Sequence, residues 1–161
     1  MADVIDELLA QWRRERPDLD VTPMGTIGRL NRFTILAGNE IEATLEQHGL
    51  SVADFDVLAT LRRLGEPYVA TPTLLTRSVM LSASGMTARL DRLERIGYLE
   101  RTGNPDDRRS FLVELTEAGR QRVDAAVADH LATEARLLSA LNVRQRKAFD
   151  EALRVLNQQF D

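Results

Sequence analysis

The stretch from position 81 to 119 limits the fold of this chain more than any other, because it carries the pattern of one helix followed at once by two short strands. Apolar residues recur at Met86, Leu90 and Leu93, which is the spacing of one buried helical face. Gly97 predicts the end of the helix, since glycine adopts the left-handed conformation of a C-cap without steric cost. Beyond it, polar and apolar residues alternate on both sides of a turn, which predicts a β-hairpin.

Small polar residues and arginines fill the other positions of this segment. Ser82 is a good N-cap and predicts that the helix starts there. The strands are predicted at 98–102 and 110–116, joined by a turn of turn-forming residues only. The turn leads into Arg108 and Arg109, and arginines at a hairpin tip suit contacts with phosphates and with the minor groove of DNA.

The segment resembles the winged helix-turn-helix of the MarR family of bacterial transcription regulators. The matching features are, in order, the small polar helix start, the run DRLERIGYLER, the wing motif DDRRS and the closing LTEAG. Several motifs at the family's spacing are more specific than a helix-turn-helix pattern alone. The resemblance implies a mainly α fold with a small β-wing, in which a winged helix-turn-helix domain sits on a helical dimerisation frame.

Three regions are expected along the chain. Residues 1–49 would form N-terminal helices for dimerisation and for one wall of a ligand pocket, 50–116 the winged helix-turn-helix DNA-binding domain, and 117–161 the C-terminal dimerisation helices. The flanking helices carry more apolar surface than a lone winged helix needs, which predicts a homodimer. Pattern and capping signals predict helices at 3–14, 24–47, 51–64, 72–78 (with Leu74 and Leu75 buried), 117–141 and 143–160, and a short strand at 69–71.

Composition excludes several classes of protein. The chain has no cysteine, so disulfides, thiolate nucleophiles and cysteine-based redox sensing are ruled out. Its two isolated histidines, His48 and His130, lack metal-ligand spacing. No nucleophile–base pair or glycine-rich phosphate loop is present, so neither an enzyme nor a cofactor is expected. No apolar run approaches a membrane span or a signal-peptide core, and we expect a cytoplasmic protein without a membrane partner.

The net charge of −4 hides an uneven distribution. From Arg77 to Arg109 the chain has seven arginines against five acidic residues, which gives +2. The remaining 14 basic and 20 acidic side chains sum to −6. Positive charge is therefore concentrated on the predicted DNA-binding segment, as expected for a protein whose partner is double-stranded DNA.

The helix and the wing supply the predicted DNA contacts. Two recognition helices of a dimer would enter successive major grooves and read a pseudo-palindrome. The resemblance places Arg109 in the minor groove, with Asp107 pairing to hold the tip and Arg108 nearer phosphate. For each arginine the alternative is an ordinary solvated surface charge. The other predicted contacts are Arg77 to phosphate, the small residues Ser82, Ser84 and Thr87 close to base edges, and Arg89 and Arg92 to guanine or phosphate.

An extra N-terminal helix with a tryptophan, followed by RPDLD, resembles the urate-responsive subgroup of the family. That resemblance implies a ligand pocket formed by four residues: Trp12, Asp56, Arg89 and Arg101. Urate is a flat aromatic monoanion, so a stacking surface and guanidinium groups suit it. The subgroup's mechanism uses repulsion between the anion and Asp56, together with attraction to Arg89, to shift the recognition helix and release DNA.

Other interpretations stay open at this point. Trp12 alone reads as a core anchor, Arg101 as a surface residue of a strand, and Asp56 with Arg89 as a buried ion pair. A different small acid or a phenolic compound is the alternative to urate as the ligand of such a site. A winged-helix interaction module without sequence-specific DNA binding is the alternative to a regulator, and repression is the family's default mode.

Overall fold

The computed structural model describes residues 3–79, 85–105, 107 and 109–160. The chain is mainly helical with one small antiparallel sheet, which confirms the predicted fold class. Within the described ranges, no helix combines the length and the hydrophobicity needed to cross a bilayer. The elements in chain order are α1 (Val4–Glu15), α2 (Thr22–Glu46), α3 (Val52–Arg63), β1 (Val69–Ala70), α4 (Pro72–Ser78), α5 (Met86–Arg95), β2 (Leu99–Gly103), β3 (Phe111–Leu115), α6 (Glu117–Leu137) and α7 (Val143–Asn157).

The chain forms two compact units, one up to Glu40 and one from Ile41 onward. In the first unit, α1 packs closely on the first half of α2, where a Cβ atom added to Gly25 would lie 2.9 Å from the Leu9 side chain. Arg29 of α2 donates hydrogen bonds to Asp3 at 2.8 Å and to Asp6 at 2.6 Å. These two acids also form the capping box of α1, so the same carboxylates start the helix and fasten it to α2.

The second unit has a continuous apolar core that α3, α5, α6 and the sheet share. Leu75 of α4 is fully buried in it, but the neighbouring Leu74 is largely exposed, so the prediction that both are buried was wrong. Successive residues of a helix point about 100° apart, and a helix of seven residues buries one narrow face only. Among the described residues, the largest fully buried side chains of the core are Leu45, Leu50, Leu58, Leu61, Leu75, Leu90 and Leu93.

The three strands lie in the order β1-β3-β2, with both pairs antiparallel. The short strand predicted at 69–71 is confirmed as the third member over Val69–Ala70, opposite Val113 and Glu114 of β3, while Thr71 caps α4. The ladder of β2 and β3 is longer and runs from the pair Leu99–Leu115 to the pair Gly103–Phe111. The wing therefore has three strands near the core and only two towards its tip.

The LTEAG motif joins the sheet to α6. Thr116 caps α6 by accepting the Gly119 N–H at 3.0 Å, and its hydroxyl donates to the Gly97 carbonyl at 2.7 Å. A Cβ atom at position 119 would lie 2.1 Å from the carbonyl oxygen of Tyr98, so only glycine allows this approach. The motif thus fixes α6 directly against the end of α5 and the start of β2. Helix α6 ends four residues earlier than predicted, before Asn142 caps α7.

Candidate nucleic-acid interface

Helix α5 corresponds to the predicted recognition helix. Helix α4 precedes it in the chain and presents Arg77 to solvent. The helix begins where the sequence predicted, because Thr71 accepts the Leu74 N–H at 3.1 Å and Pro72 occupies the first turn. At its other end, Arg63 of α3 donates a hydrogen bond to the carbonyl of Ser78. Arg63 was not predictable from the sequence, because a cap supplied by another helix leaves no local sequence pattern.

Helix α5 starts at Met86, with Gly85 at its N-cap in the left-handed conformation and no capping side chain. The prediction that this helix starts at Ser82 was therefore wrong. A positive φ of 71° at Gly85 ends any regular helix that arrives from the N-terminal side. Two predicted DNA-contacting residues, Ser82 and Ser84, lie outside the residues that the structure describes.

The two faces of α5 differ as the sequence predicted. Met86, Leu90 and Leu93 are buried in the core. Of the predicted DNA-contacting residues, Thr87 is exposed and Arg89 is half-buried. The helix therefore has one apolar face that fixes its position and a second face rich in arginine.

Arg92 lies on the exposed side of α5 but makes an ion pair with Asp54 of α3. The Asp54 side chain is only 4% exposed, whereas that of Arg92 is 44% exposed. The same carboxylate accepts hydrogen bonds from the hydroxyl of Ser51 at 2.7 Å and from its N–H at 3.2 Å, which completes a capping box at the start of α3. Arg92 thus ties the recognition helix to the start of α3 in this structure, and half of its side chain still faces solvent.

Asp107 accepts hydrogen bonds from residues that follow it in the wing. Its carboxylate accepts the backbone N–H of Arg109 at 2.9 Å, and its carbonyl accepts the N–H of Ser110 at 3.0 Å. The Arg109 side chain is left exposed at the end of the turn. Asp107 therefore contacts the backbone of Arg109 and shapes the turn that carries it. The predicted phosphate contact Arg108 lies outside the described residues.

A second contact closes the wing below its tip. The side-chain amide of Asn104 donates to the hydroxyl of Ser110 at 2.8 Å, and the backbone N–H of Asn104 reaches the Ser110 carbonyl at 3.4 Å. In the sequence, Asn104 falls in the predicted turn and Ser110 at the start of the second predicted strand. Their pairing across the turn depends on the register of β2 and β3, which the sequence alone does not specify.

The four predicted ligand residues belong to two different units of the chain. Trp12 belongs to the unit that ends at Glu40, and it is 44% exposed. Asp56, Arg89 and Arg101 belong to the other unit, where Asp56 is buried on α3 and Arg89 is half-buried on α5. The pocket therefore stays a prediction.

Arg101 has a defined set of contacts within the winged helix. Its guanidinium group lies 2.5 Å from a carboxylate oxygen of Asp91 and 3.1 Å from one of Glu94, both on α5. The same group stacks on the ring of Phe111, with 4.9 Å between the guanidinium carbon and the ring centre. Arg101 thus connects the recognition helix with both long strands of the wing.

Comparison with known proteins agrees with this geometry. The model of the MarR family matches residues 48–110, which run from just before α3 to the end of the turn between β2 and β3. The HTH-type transcriptional regulator PecS of Dickeya dadantii is 39% identical to this chain over 142 residues, which cover 88% of this chain and 86% of PecS.

Two solved structures show the same fold. Sco3205, a MarR family regulator of Streptomyces coelicolor solved in complex with DNA, superposes with a TM-score of 0.78 at 18% identity, over 88% of this chain and 89% of Sco3205. BpsR of Bordetella bronchiseptica, whose DNA binding is regulated by 6-hydroxynicotinic acid, superposes with a TM-score of 0.71 at 25% identity, over 81% of this chain and 91% of BpsR. The chain belongs to the MarR family of DNA-binding transcriptional regulators.

Proposed function

We propose that this protein is a repressor that binds a pseudo-palindromic operator as a homodimer and is released by a small anion, for which urate is the first candidate. One observation carries the DNA-binding part of the proposal. The exposed Arg109 stands at the end of a turn in which Asp107 accepts its backbone N–H, and α5 of the same unit has one face buried in the core. A guanidinium group presented at the end of a hairpin turn suits entry into a narrow minor groove.

In the proposed complex, a two-fold axis places two α5 helices in major grooves about 34–36 Å apart. Thr87 is exposed near the start of α5 and small enough to let the helix approach base edges. Arg77, at the end of α4, would contact phosphate together with Arg108 of the wing. Ser82 and Ser84 precede α5 and would add short hydroxyl contacts. The DNA complex of Sco3205, which has the same fold, supports this arrangement.

Arg92 has a different proposed role from the other arginines of α5. Its ion pair with Asp54 holds the helix in place, and its exposed half is available to a phosphate. A phosphate contact would then share the guanidinium group with a buried carboxylate, which orients it towards the DNA backbone. Discrimination between bases is accordingly assigned to Thr87 and Arg89.

The ligand proposal combines one aromatic and two cationic residues. Urate would stack on Trp12, and the guanidinium groups of Arg89 and Arg101 would neutralise its charge. Asp56 would repel the anion, so binding would move Arg89 and with it the recognition helix. The regulation of BpsR by 6-hydroxynicotinic acid, a flat aromatic acid, supports a ligand of this class.

Two measurements test the function in sequence. Selection of bound fragments from a random DNA pool should yield a pseudo-palindrome with half-sites one helical turn apart. A thermal melt with urate, xanthine, citrate and salicylate should then show a dose-dependent rise of the melting temperature with urate. At a hundredfold excess over its dissociation constant, a ligand of the native state adds about 2.7 kcal/mol to the free energy of unfolding.

Variants show whether the rise comes from the proposed pocket. Trp12→Phe and Arg89→Gln should each reduce the rise with urate. A rise with citrate or salicylate alone would replace urate by another acid. If the selected DNA fragments share no common sequence, the proposed binding to a specific operator is contradicted, and a winged-helix interaction module without sequence-specific DNA binding is favoured.

A further inference from the structure

We infer that Arg101 is a positioning residue that holds the outer part of the wing against the recognition helix, so that Arg109 and α5 engage DNA together; this inference rests on the proposed DNA-binding function. The role differs from ligand binding, because it concerns the contacts that Arg101 makes inside the winged helix.

The outer part of the wing lacks the support that its base receives. Strand β1 pairs only with Val113 and Glu114 of β3, so the ladder pairs farther out belong to two strands. A ribbon of two strands is marginally stable by itself and twists easily. The direction of the wing tip therefore depends on contacts that the ribbon makes with other elements.

Arg101 supplies such a contact at the point where the third strand ends. It lies opposite Val113 in the ladder, and Phe111 is two residues farther along β3 towards the tip. On α5, Asp91 and Glu94 are three residues apart and so share one side of the helix. The guanidinium group reaches both carboxylates and covers the Phe111 ring, which links α5 to the outer ribbon.

The contacts continue from Phe111 to the tip. Ser110, the next residue, bonds to Asn104 across the turn and to the carbonyl of Asp107. Asp107 in turn accepts the N–H of Arg109. A displacement of the Phe111 ring would therefore move the backbone that carries the Arg109 side chain.

The chemistry of arginine suits this position. Its planar group offers several donors at fixed angles and stacks on aromatic faces, whereas lysine presents a single ammonium group. The side chain of Arg101 is 27% exposed, so water screens its ion pairs less than those of a fully solvated arginine. Lysine at this position would keep the charge but lose the simultaneous contacts.

A double-mutant cycle tests the inference with labelled operator DNA. The loss of affinity on Arg109→Ala is measured in the wild-type chain and again in chains that carry Arg101→Gln, Arg101→Lys or the pair Asp91→Asn with Glu94→Gln. In the wild-type chain we expect a loss of about tenfold or more. In each of the other backgrounds the same substitution should weaken binding by less than about threefold, because the tip no longer reaches the groove.

The double substitution Asp91→Asn with Glu94→Gln makes the test independent of the charge of Arg101. Removing two negative charges from α5 raises the attraction of DNA in general, but each Arg109→Ala comparison is made within one background, so this effect cancels. Arg120→Gln is the matched control, since Arg120 makes a two-point pair with Glu117 inside α6, at 2.9 Å and 2.8 Å, and does not join α5 to the wing. The Arg109→Ala loss should persist in that background.

The outcomes separate the inference from the proposed function. If Arg109→Ala lowers the operator affinity as much in the Arg101→Gln chain and in the chain with Asp91→Asn and Glu94→Gln as in the wild type, the positioning role of Arg101 is overturned and the operator contact of Arg109 stands. An undiminished loss of affinity on Arg109→Ala in the Arg101→Lys chain would also overturn that role, because it would show that a positive charge at position 101 is sufficient. If Arg109→Ala has no effect in the wild-type chain, the wing contact of the proposed function fails and the inference fails with it.

Discussion

Arg109 is the residue whose role is most sharply limited by its surroundings. Its backbone is fixed by Asp107 and its side chain faces solvent, so it contributes little to the packing of the fold. An exposed cation at a hairpin tip keeps its hydration and adds little to the stability of the fold, whereas contact with a polyanion releases counterions and adds to the free energy of binding. Its value to the molecule therefore lies in what it binds.

Substituting Arg109 by alanine should weaken operator binding by about 1–3 kcal/mol and leave the melting temperature nearly unchanged. Fluorescence anisotropy with operator DNA and a thermal melt measure the two quantities. Arg14→Ala is the control, because it removes one positive charge from an exposed position on α1. Equal losses of affinity in the two variants would mean that only total charge matters and would contradict the minor-groove contact.

The local part of the fold was predictable from single residues. Ser51 with Asp54, Thr116 and Asn142 are capping residues, and Pro72 suits a first turn, so these helices begin where the sequence indicates. Each of these signals acts over three or four positions. The start of α5 was mispredicted because it depends on the left-handed conformation of Gly85, which carries no capping side chain and leaves no capping pattern in the sequence.

The pairs that shape the site were not predictable, because they join distant positions. Asp54 and Arg92 are 38 residues apart, and nothing near either residue indicates the other. Arg101 has the same difficulty, since its pairing with α5 and with Phe111 depends on how the ribbon folds back. The arginines of the site were thus recognisable from the sequence, while their partners required the fold.

Among the helices, α3 and α5 share one buried carboxylate. Asp54→Ala removes both the capping box of α3 and the ion pair with Arg92, and should lower the free energy of unfolding by about 2–3 kcal/mol. Urea denaturation measures this change. Ser51→Ala, which keeps the ion pair, should cost only about 1 kcal/mol. The same loss in both variants would show that the ion pair adds nothing to stability.

Helix α1 is held to α2 by charges that acid removes. Hydrogen bonds from Arg29 lower the pKa of Asp3, and hydrogen bonds from the Asp3 N–H and from Arg29 lower the pKa of Asp6. A carboxyl group whose pKa is lower in the folded state stabilises that state above its unfolded pKa of about 4, and the contribution disappears as the pH falls through the folded pKa. We therefore expect α1 to loosen from α2 in acid, below about pH 4.

The chain has one tryptophan, Trp12 on α1, so its fluorescence reports on this helix. A titration from neutral pH into acid should show a fluorescence transition in the wild-type chain. Arg29→Gln should weaken the link already at neutral pH and reduce the amplitude of the acid transition. An identical titration curve for this variant would show that Arg29 does not fasten α1.

We propose that the protein is a dimer and that α7 contributes to the dimer surface. None of the residues of α7 is buried, although the helix is amphipathic. Leu138, Val143, Phe149 and Leu153 line a groove of about 530 Å³ together with Arg146, Lys147 and Asp150. A helix with an exposed apolar face is typical of an interface.

A charge on that face should separate the subunits. Leu156 is exposed and lies three residues after Leu153, on the same side of α7. Leu156→Glu should raise the dissociation constant of the dimer by about tenfold or more, since an unpaired charge resists burial in an interface. Sedimentation velocity over a range of concentrations measures it. Gln158→Glu adds the same charge one residue after α7 and should leave the dimer intact. An unchanged dimer in the Leu156→Glu chain would exclude this part of α7 from the interface.

The two ligands of the molecule, DNA and the anion, are proposed to act on one recognition helix. If they do, their binding free energies are coupled and the coupling is reciprocal. Urate should lower the affinity for operator DNA by a factor in the range of about 5–150, and operator DNA should lower the affinity for urate by the same factor. This symmetry does not depend on which side chains carry the signal.

The most direct test is the dissociation constant of the operator complex, measured by fluorescence anisotropy with and without saturating urate at one salt concentration. The prediction is a clear rise of that constant with urate and none with an equal concentration of chloride. A constant that does not change, in a protein that calorimetry shows to bind urate, would contradict release by the anion. In that case the chain would remain a DNA-binding regulator whose affinity for its operator does not depend on the ligand.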